Sequence, residues 1–236
     1  MFAYVDETGN SGRNIFDQNE YFGLGTLLSV TDIAPVVSSV LNPFLIEKGV
    51  DRFHANQWPE TTVAEIGEQV VAALDHEGPW VFNIAKIHKP YMAPTKFVDV
   101  IFDAGENRAV PGEWYWDELN RHVLCLTIDQ AMSQDTAKLF WSAFLKDDFN
   151  KIIDAADLIE AELKNIELAS AVSQVIQVAF QFAREHPKEF TLLNSQTRKA
   201  YQASSPNVVA FTQLFQAIHD FAEKEKSPPE RLIHDK

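Results

Sequence analysis

Two apolar rhythms divide the chain. At the N-terminal end the runs are short: Phe2-Ala3-Tyr4-Val5-Asp6 is rich in β-forming residues and closes on an acid, and Tyr21–Val30 forms a second such run with Gly23 and Gly25 inside it. A polar connection bearing Gly9, Asn10, Ser11, Gly12 and Asn14 joins them, which predicts an antiparallel pair with a longer loop than a tight hairpin. A loop of that length beside a strand end is often functional. Glycine weakens a strand unless a backbone or ligand approaches closely, so Gly23 and Gly25 point to such an approach. Thr31-Asp32 predicts the cap of a helix reaching about Leu45, with Pro35 in its first turn. Asp51–Ala55 fits either a strand fragment or a loop. Thr62-x-x-Glu65 reads as a capping box for a helix with apolar Val63, Ile66, Val70, Val71 and Leu74, stopped by Gly78-Pro79. Trp80–His88, β-branched and aromatic, returns to a strand.

From about Pro94 to Lys226 the period is helical. Helices are expected at Thr95–Phe102, Glu113–Met132, Asp135–Leu145, Lys151–Leu163 and Ile166–Arg184, and Ser205-Pro206 opens a last one whose apolar face runs from Val208 to Phe221. Ser227-Pro228-Pro229 ends that helix, and Arg231–Asp235 has the look of a strand. A helical block between strands predicts an insertion, at about 94–226, into one α/β core spanning 1–236 rather than a second independent domain. A strand that closes on Asp235, one residue before the last, leads us to expect that the natural protein continues past Lys236.

Composition narrows the class. The 236 residues are 46% hydrophobic, with 17 Phe and 5 Trp, which is ample apolar surface to offset chain entropy. The longest apolar stretch, Leu27–Ile46, contains Asp32 and prolines and predicts no membrane span. No basic and apolar leader is expected at the N-terminus. The single Cys125, set among Val123, Leu124 and Leu126, excludes an internal disulfide and predicts a buried, inert thiol in a reducing cytoplasm. A net charge of −14 argues against a broad duplex-binding surface but leaves room for acidic metal ligands.

Candidate chemistry concentrates in Tyr4-Val5-Asp6-Glu7-Thr8-Gly9-Asn10. Alternation puts Tyr4 and Asp6 on one strand face and Val5 and Glu7 on the other, which ranks Asp6 above Glu7 as a site residue. A solvated turn would use the same residue types. The segment 4–12, followed by Tyr21-Phe22-Gly23-Leu24-Gly25, resembles the opening of the RNase H-like family designated domain of unknown function 3800. Arg52-Phe53-His54-Ala55 and Ile233-His234-Asp235 extend the resemblance, and the helical middle does not share it. Thr8 stands where the family more often has serine.

The resemblance implies an RNase H-like mixed sheet carrying a large helical insertion. It further implies a divalent-metal-dependent nuclease in which Asp6, Asp235 and Glu7 are ligands to Mg²⁺ or Mn²⁺, nucleic acid is the substrate, and His54 stands behind the ligands or against the substrate. Two hard cations held roughly 4 Å apart by carboxylates would neutralise the pentavalent phosphate and activate water. In such a core the first strand is central and the strand after the helical segment lies parallel beside it, which would bring Asp6 and Asp235 roughly 5 Å apart at the backbone. From the residues alone, His54 reads as a packed or surface histidine and Asp235 equally as a terminal charge. The alternative from another class is a catalytically silent interaction module with a protein partner, such as one subunit of a multi-protein defence system. Lys86 and His88 read as edge polarity, Trp114–Trp116 as core packing, and Asp147-Asp148 and Asp154-x-x-Asp157 as charged helix faces.

Overall fold

Strand β1 (Phe2–Thr8) is an inner strand of a four-stranded mixed sheet of order β3-β2-β1-β4, with β2 at Tyr21–Ser29, β3 at Trp80–His88 and β4 at Arg231–His234. The computed structural model describes residues 1–9, 12–18, 20–192 and 205–234. β1 pairs antiparallel with β2 in a register that sets Tyr4 opposite Leu27 and Asp6 opposite Gly25. On its other side it pairs parallel with β4, Tyr4 beside Ile233 and Val5 beside His234. The start of this parallel pair is pinned by the chain terminus: the Met1 ammonium donates to the Pro228 carbonyl at 2.6 Å, and the Glu230 N–H donates to the Met1 carbonyl at 2.8 Å.

The chain divides into two compact units, one comprising residues 1–8, 23–86 and 210 onward, the other residues 9–22 and 87–209. In the first, alternation gives the sheet a buried face of Ala3, Val5, Leu24, Thr26 and Leu28. Met1, Ala3 and Leu28 pack there against Phe221, Ile218 and Ala217 of the last helix, α9 (Pro206–Glu225). Only part of the predicted apolar stripe of α9 is used: Leu214 and Phe221 are buried, whereas Phe215 is 61% exposed. This unit also carries α1 (Ala34–Lys48) and α2 (Glu60–Leu74). Both begin away from the predicted caps. Asp32 does accept the Ala34 N–H, at 3.0 Å, but Ile33 is the cap residue of α1. α2 starts two residues before Thr62, after Pro59, so Thr62 and Glu65 lie inside the helix.

The second unit is helical. It contains α3 (Met92–Ile101), α4 (Gly112–Trp116), α5 (Glu118–Ala131), α6 (Gln134–Leu145), α7 (Phe149–Leu163) and α8 (Ser170–Glu185), and residues 94–226 contribute no strand among the described residues. The single helix expected over Glu113–Met132 is two, because the Asp117 side chain leaves the helical path to cap α5 through the Asn120 N–H at 2.9 Å. Ser133 and Asp148 cap α6 and α7 in the same way. Phe97 meets Phe140 and Phe180 edge-on at centroid distances of 5.3 and 5.8 Å in the centre of this core. Asn107, fully buried, donates to the carbonyls of Ile101 and Ala179 and so fastens the α3–α4 connection to α8. Among the described residues no helix is long and apolar enough to cross a membrane.

The connection between β1 and β2 belongs to this helical unit and is held firmly by it. Ile15 is fully buried, the Trp141 indole donates to the Arg13 carbonyl at 2.8 Å, and the Lys89 ammonium, itself fully buried, meets Asp17 at 2.5 Å. Lys89 also donates its backbone N–H to the Glu20 carbonyl at 2.8 Å. The loop read from sequence as functional thus has a packing role along much of its length.

Candidate functional site

The face of the sheet opposite α9 is an open groove of about 670 Å³. Register and alternation place Tyr4, Asp6 and Thr8 of β1 on it, with Leu27 and Gly25 opposite and Ile233 beside Tyr4. Phe82 and Ile84 of the edge strand β3 complete its apolar lining and are 55% and 61% exposed. Residues at Gly23 and Gly25 would intrude to different degrees. A Cβ at Gly23 would come within 2.6 Å of the Thr8 methyl, whereas one at Gly25 would meet the Phe82 ring at 3.6 Å, an ordinary contact. The close approach at Gly23 comes from a side chain, the Thr8 methyl, rather than from the backbone or ligand that the sequence pattern predicts.

Asp6 is exposed and sits at the C-terminal end of β1, where its Oδ1 accepts the Glu7 N–H at 2.9 Å. That bond fixes one carboxylate oxygen and leaves the acid on the groove side. Glu7 points to the opposite face, where its Oε1 lies 3.5 Å from His234 Nε2. The Phe211 ring of α9 lies 6.5 Å from that imidazole between centroids. The expectation that Asp6 and Glu7 face apart agrees with this arrangement. His234, not singled out in the sequence, gains its place from the parallel register that sets it beside Val5.

Tyr4, one turn of alternation before Asp6, is tethered at the far end of the groove. Its hydroxyl donates to Asp32 Oδ1 at 2.6 Å and accepts the Ile33 N–H at 3.2 Å. Burial, reinforced by the Asp32 carboxylate, raises the Tyr4 phenol above its ordinary range; the Tyr4 hydroxyl and the Ala34 N–H hold Asp32 below the usual carboxylate range. The Tyr4–Asp32 pair thereby ties β1 to the start of α1.

His54 is exposed and is not among the residues that line the groove. Its neighbour Phe53 is the packed member of the motif, joining Phe44 and Trp58 in an aromatic cluster with centroid distances of 5.7 and 6.4 Å. Asp235 lies outside the described residues. Lys86 is exposed, while His88 stacks obliquely on Tyr21 at 5.1 Å and stands 4.0 Å from Glu20.

The donor set can be tested against the implied metal. Among the described residues no group of three or more His, Cys, Asp or Glu side chains is placed to hold an ion. Asp6 offers one hard-oxygen ligand on the groove face, which suits magnesium with its retained waters but does not by itself build a two-ion site. Glu7 and His234 also border the groove, but their side chains meet each other at 3.5 Å, and with Asp6 they form no group placed to hold an ion among the described residues. Comparison with known proteins supplies no further constraint: no family model, no curated protein and no solved structure matches the chain.

Proposed function

We propose that this chain is an RNase H-like phosphoryl-transfer domain, a divalent-metal-dependent nuclease in which Asp6 is the principal ligand. The observation that supports the reading is topological: an inner first strand carries an exposed aspartate two residues before its C-terminal end, and the strand that follows the helical segment returns parallel beside it. Two chain-distant strands that run the same way deliver their C-terminal ends to one edge of the sheet, which is how a carboxylate site is assembled from remote sequence. Mg²⁺ or Mn²⁺ would supply charge neutralisation and an activated water. The described residues present one ligand on the groove face, so we route no step through a second ion. What this chain contributes is orientation: Asp6 is held by the Glu7 N–H, beside an open groove whose apolar lining includes Phe82, Ile84 and Leu27.

The test is cleavage of labelled single- and double-stranded DNA and RNA with Mg²⁺ or Mn²⁺, with EDTA as control. Cleavage should require the metal, and Asp6→Asn and Asp235→Asn should each abolish it in a folded protein. Metal-independent cleavage, or full activity in Asp6→Asn, would overturn the reading.

A second reading has its own observation. The exposed Phe82 and Ile84, with the half-buried Leu27 and Ile233 beside them, suit a silent interaction module that docks a protein partner. A thermal melt during Mn²⁺ titration separates the two, because an ion that binds only the folded state raises its Tm with concentration.

A further inference from the structure

Strand β3 is an edge of the sheet, and no strand lies on its outer side among the described residues. Four successive residues in it, Val81 to Ile84, are exposed, three of them large and apolar. An edge of this kind invites another strand, and proteins that stay monomeric guard it with charge, proline or a bulge. β3 is nine residues long, contains no proline and no acid, and carries its one lysine, Lys86, near its far end.

The hydrogen bonds that bracket β3 fix which residues face outward. Pro79, just before the strand, accepts the Val30 N–H, and Lys89, just after it, donates its own N–H to the Glu20 carbonyl. Both are odd-numbered, so alternation turns the backbone groups of Trp80, Phe82, Ile84 and Lys86 to the open edge. The side chains of these four share the groove face, which Phe82 and Ile84 line. The two ends of the edge differ in charge. At the start, the Trp80 indole donates to Asp75 Oδ1 at 3.0 Å and holds that exposed carboxylate beside the strand. Near the other end stands the exposed Lys86.

We propose that β3 pairs with β3 of a second copy of this chain, antiparallel about a two-fold axis at Asn83. That register sets Phe82 opposite Ile84 of the second copy, and symmetry repeats the pair, an aromatic ring against a β-branched chain each time. It also sets Trp80 opposite Lys86 of the second copy, where Asp75 is held to receive the ammonium. The outward backbone groups of all four residues gain partners in the same step. A slip by two residues either way sets Phe82 against Phe82 or against Lys86 and takes Lys86 away from Trp80, so the apolar and the charged pairs agree on one register. The net charge of −14 on each copy opposes self-association at long range. At physiological salt such fields fade over about 8 Å, which leaves the choice to the charges that face each other across the pair.

Sedimentation velocity of the full chain from about 1 to 300 µM, at about 0.15 M salt, tests this. The mass should rise with concentration from that of one 26.7 kDa chain toward that of two. Ile84→Lys puts a guarding charge into both apolar pairs and should raise the dissociation constant about tenfold. Leu119→Lys, at an apolar residue of α5 that is 71% exposed, should leave it unchanged. Both positions are exposed, so both variants should stay folded, as circular-dichroism melts check. A charge exchange tests the register itself. Asp75→Lys sets lysine against Lys86, and Lys86→Asp sets aspartate against Asp75, at both ends of the pair, so each variant alone should dimerise about tenfold more weakly. An equimolar mixture of these two variants should recover the parent's affinity, because each end then joins opposite charges. A monomeric mass throughout, a dimer indifferent to Ile84→Lys, or a mixture no tighter than its components would overturn the proposal. None of these readouts involves metal or cleavage, so the result is independent of the nuclease reading.

Discussion

Glu7 Oε1 lies 3.5 Å from His234 Nε2 across the parallel β1–β4 pair, while Asp6, its neighbour in the chain, opens onto the opposite face of the sheet. Adjacent acids in one strand are thereby given different surroundings. If Asp6 is the ligand of a nuclease, Asp6→Asn should lower the rate of metal-dependent cleavage by at least about 100-fold, the scale seen when one charge-stabilising group is removed from a reacting centre. Glu7→Gln should cost less than about tenfold, because it alters a contact on the other face. Initial rates with circular-dichroism melts on both variants check this; the reverse ranking would move the chemistry to the Glu7–His234 face.

Gly9 leaves β1 with φ of +89°, and a Cβ there would approach the Tyr21 carbonyl oxygen to 2.5 Å. Both terms disfavour any side chain: the left-handed backbone is strained for an L-residue, and a backbone oxygen cannot swing aside. Gly9→Ala should therefore destabilise the fold by about 1–3 kcal/mol in urea unfolding. Gly49→Ala is the control, with φ of +66° and nothing within 4 Å of the added Cβ, and should cost less.

What the sequence made legible follows from how local the determinant is. The strand Trp80–His88 lies where β-branched and aromatic residues place it, and the antiparallel β1–β2 pair follows from two apolar runs around a polar loop. The parallel return of Arg231–His234 beside β1 came from resemblance, since no local pattern names a partner 229 residues away. Thr62 and Glu65 have the spacing of a capping box, but Pro59 starts α2 earlier, with its ring fixing the backbone just ahead of the first turn. Asp117 was hidden inside a continuous apolar rhythm, although an acid three residues before Asn120 could have marked a second start. The apolar pattern around Tyr115 predicts simple core packing; that the residue also lines a polar cleft depends on three elements folding together, which a one-dimensional pattern does not contain.

The buried Lys89–Asp17 pair joins the β1–β2 connection to the segment after β3, and its two members differ in what they can lose. Asp17→Asn removes the carboxylate that faces a fully buried ammonium at 2.5 Å, which should cost more than an exposed ion pair is worth, up to about 3 kcal/mol. Lys89→Met removes the charge together with its need for a partner and should cost less. In the double variant most of the Asp17→Asn penalty should vanish, since the charge it strands is gone. Chemical denaturation of the four proteins in a double-mutant cycle gives the coupling, and additive losses would mean that the pair contributes nothing beyond packing.

Alkaline stability tests the helical core through its acids. Burial raises the phenols of Tyr91 and Tyr115 from their ordinary 10.0 to about 12, and the Cys125 thiol from 9.0 to about 11. Below about pH 8 all three keep their protons whether the chain is folded or not, so they add no slope. Between about pH 8 and 12 the unfolded chain releases protons that the folded protein retains, the Cys125 thiol first. More protons are then bound in the folded state, and the stability must fall as the pH rises through that window. The Tyr91 hydroxyl has an added liability, being buried without a hydrogen-bond partner among the described residues. Tyr91→Phe should therefore gain about 1 kcal/mol at pH 7, where the phenol is merely unpaired, and should also flatten the alkaline decline. Tyr115→Phe and Cys125→Ala should flatten it without the neutral-pH gain, Cys125→Ala acting at the lower end of the window. Urea midpoints at pH 7, 9, 10 and 11 give the slopes; variant curves parallel to that of the parent would show that these groups ionise alike in both states and that burial does not hold their protons.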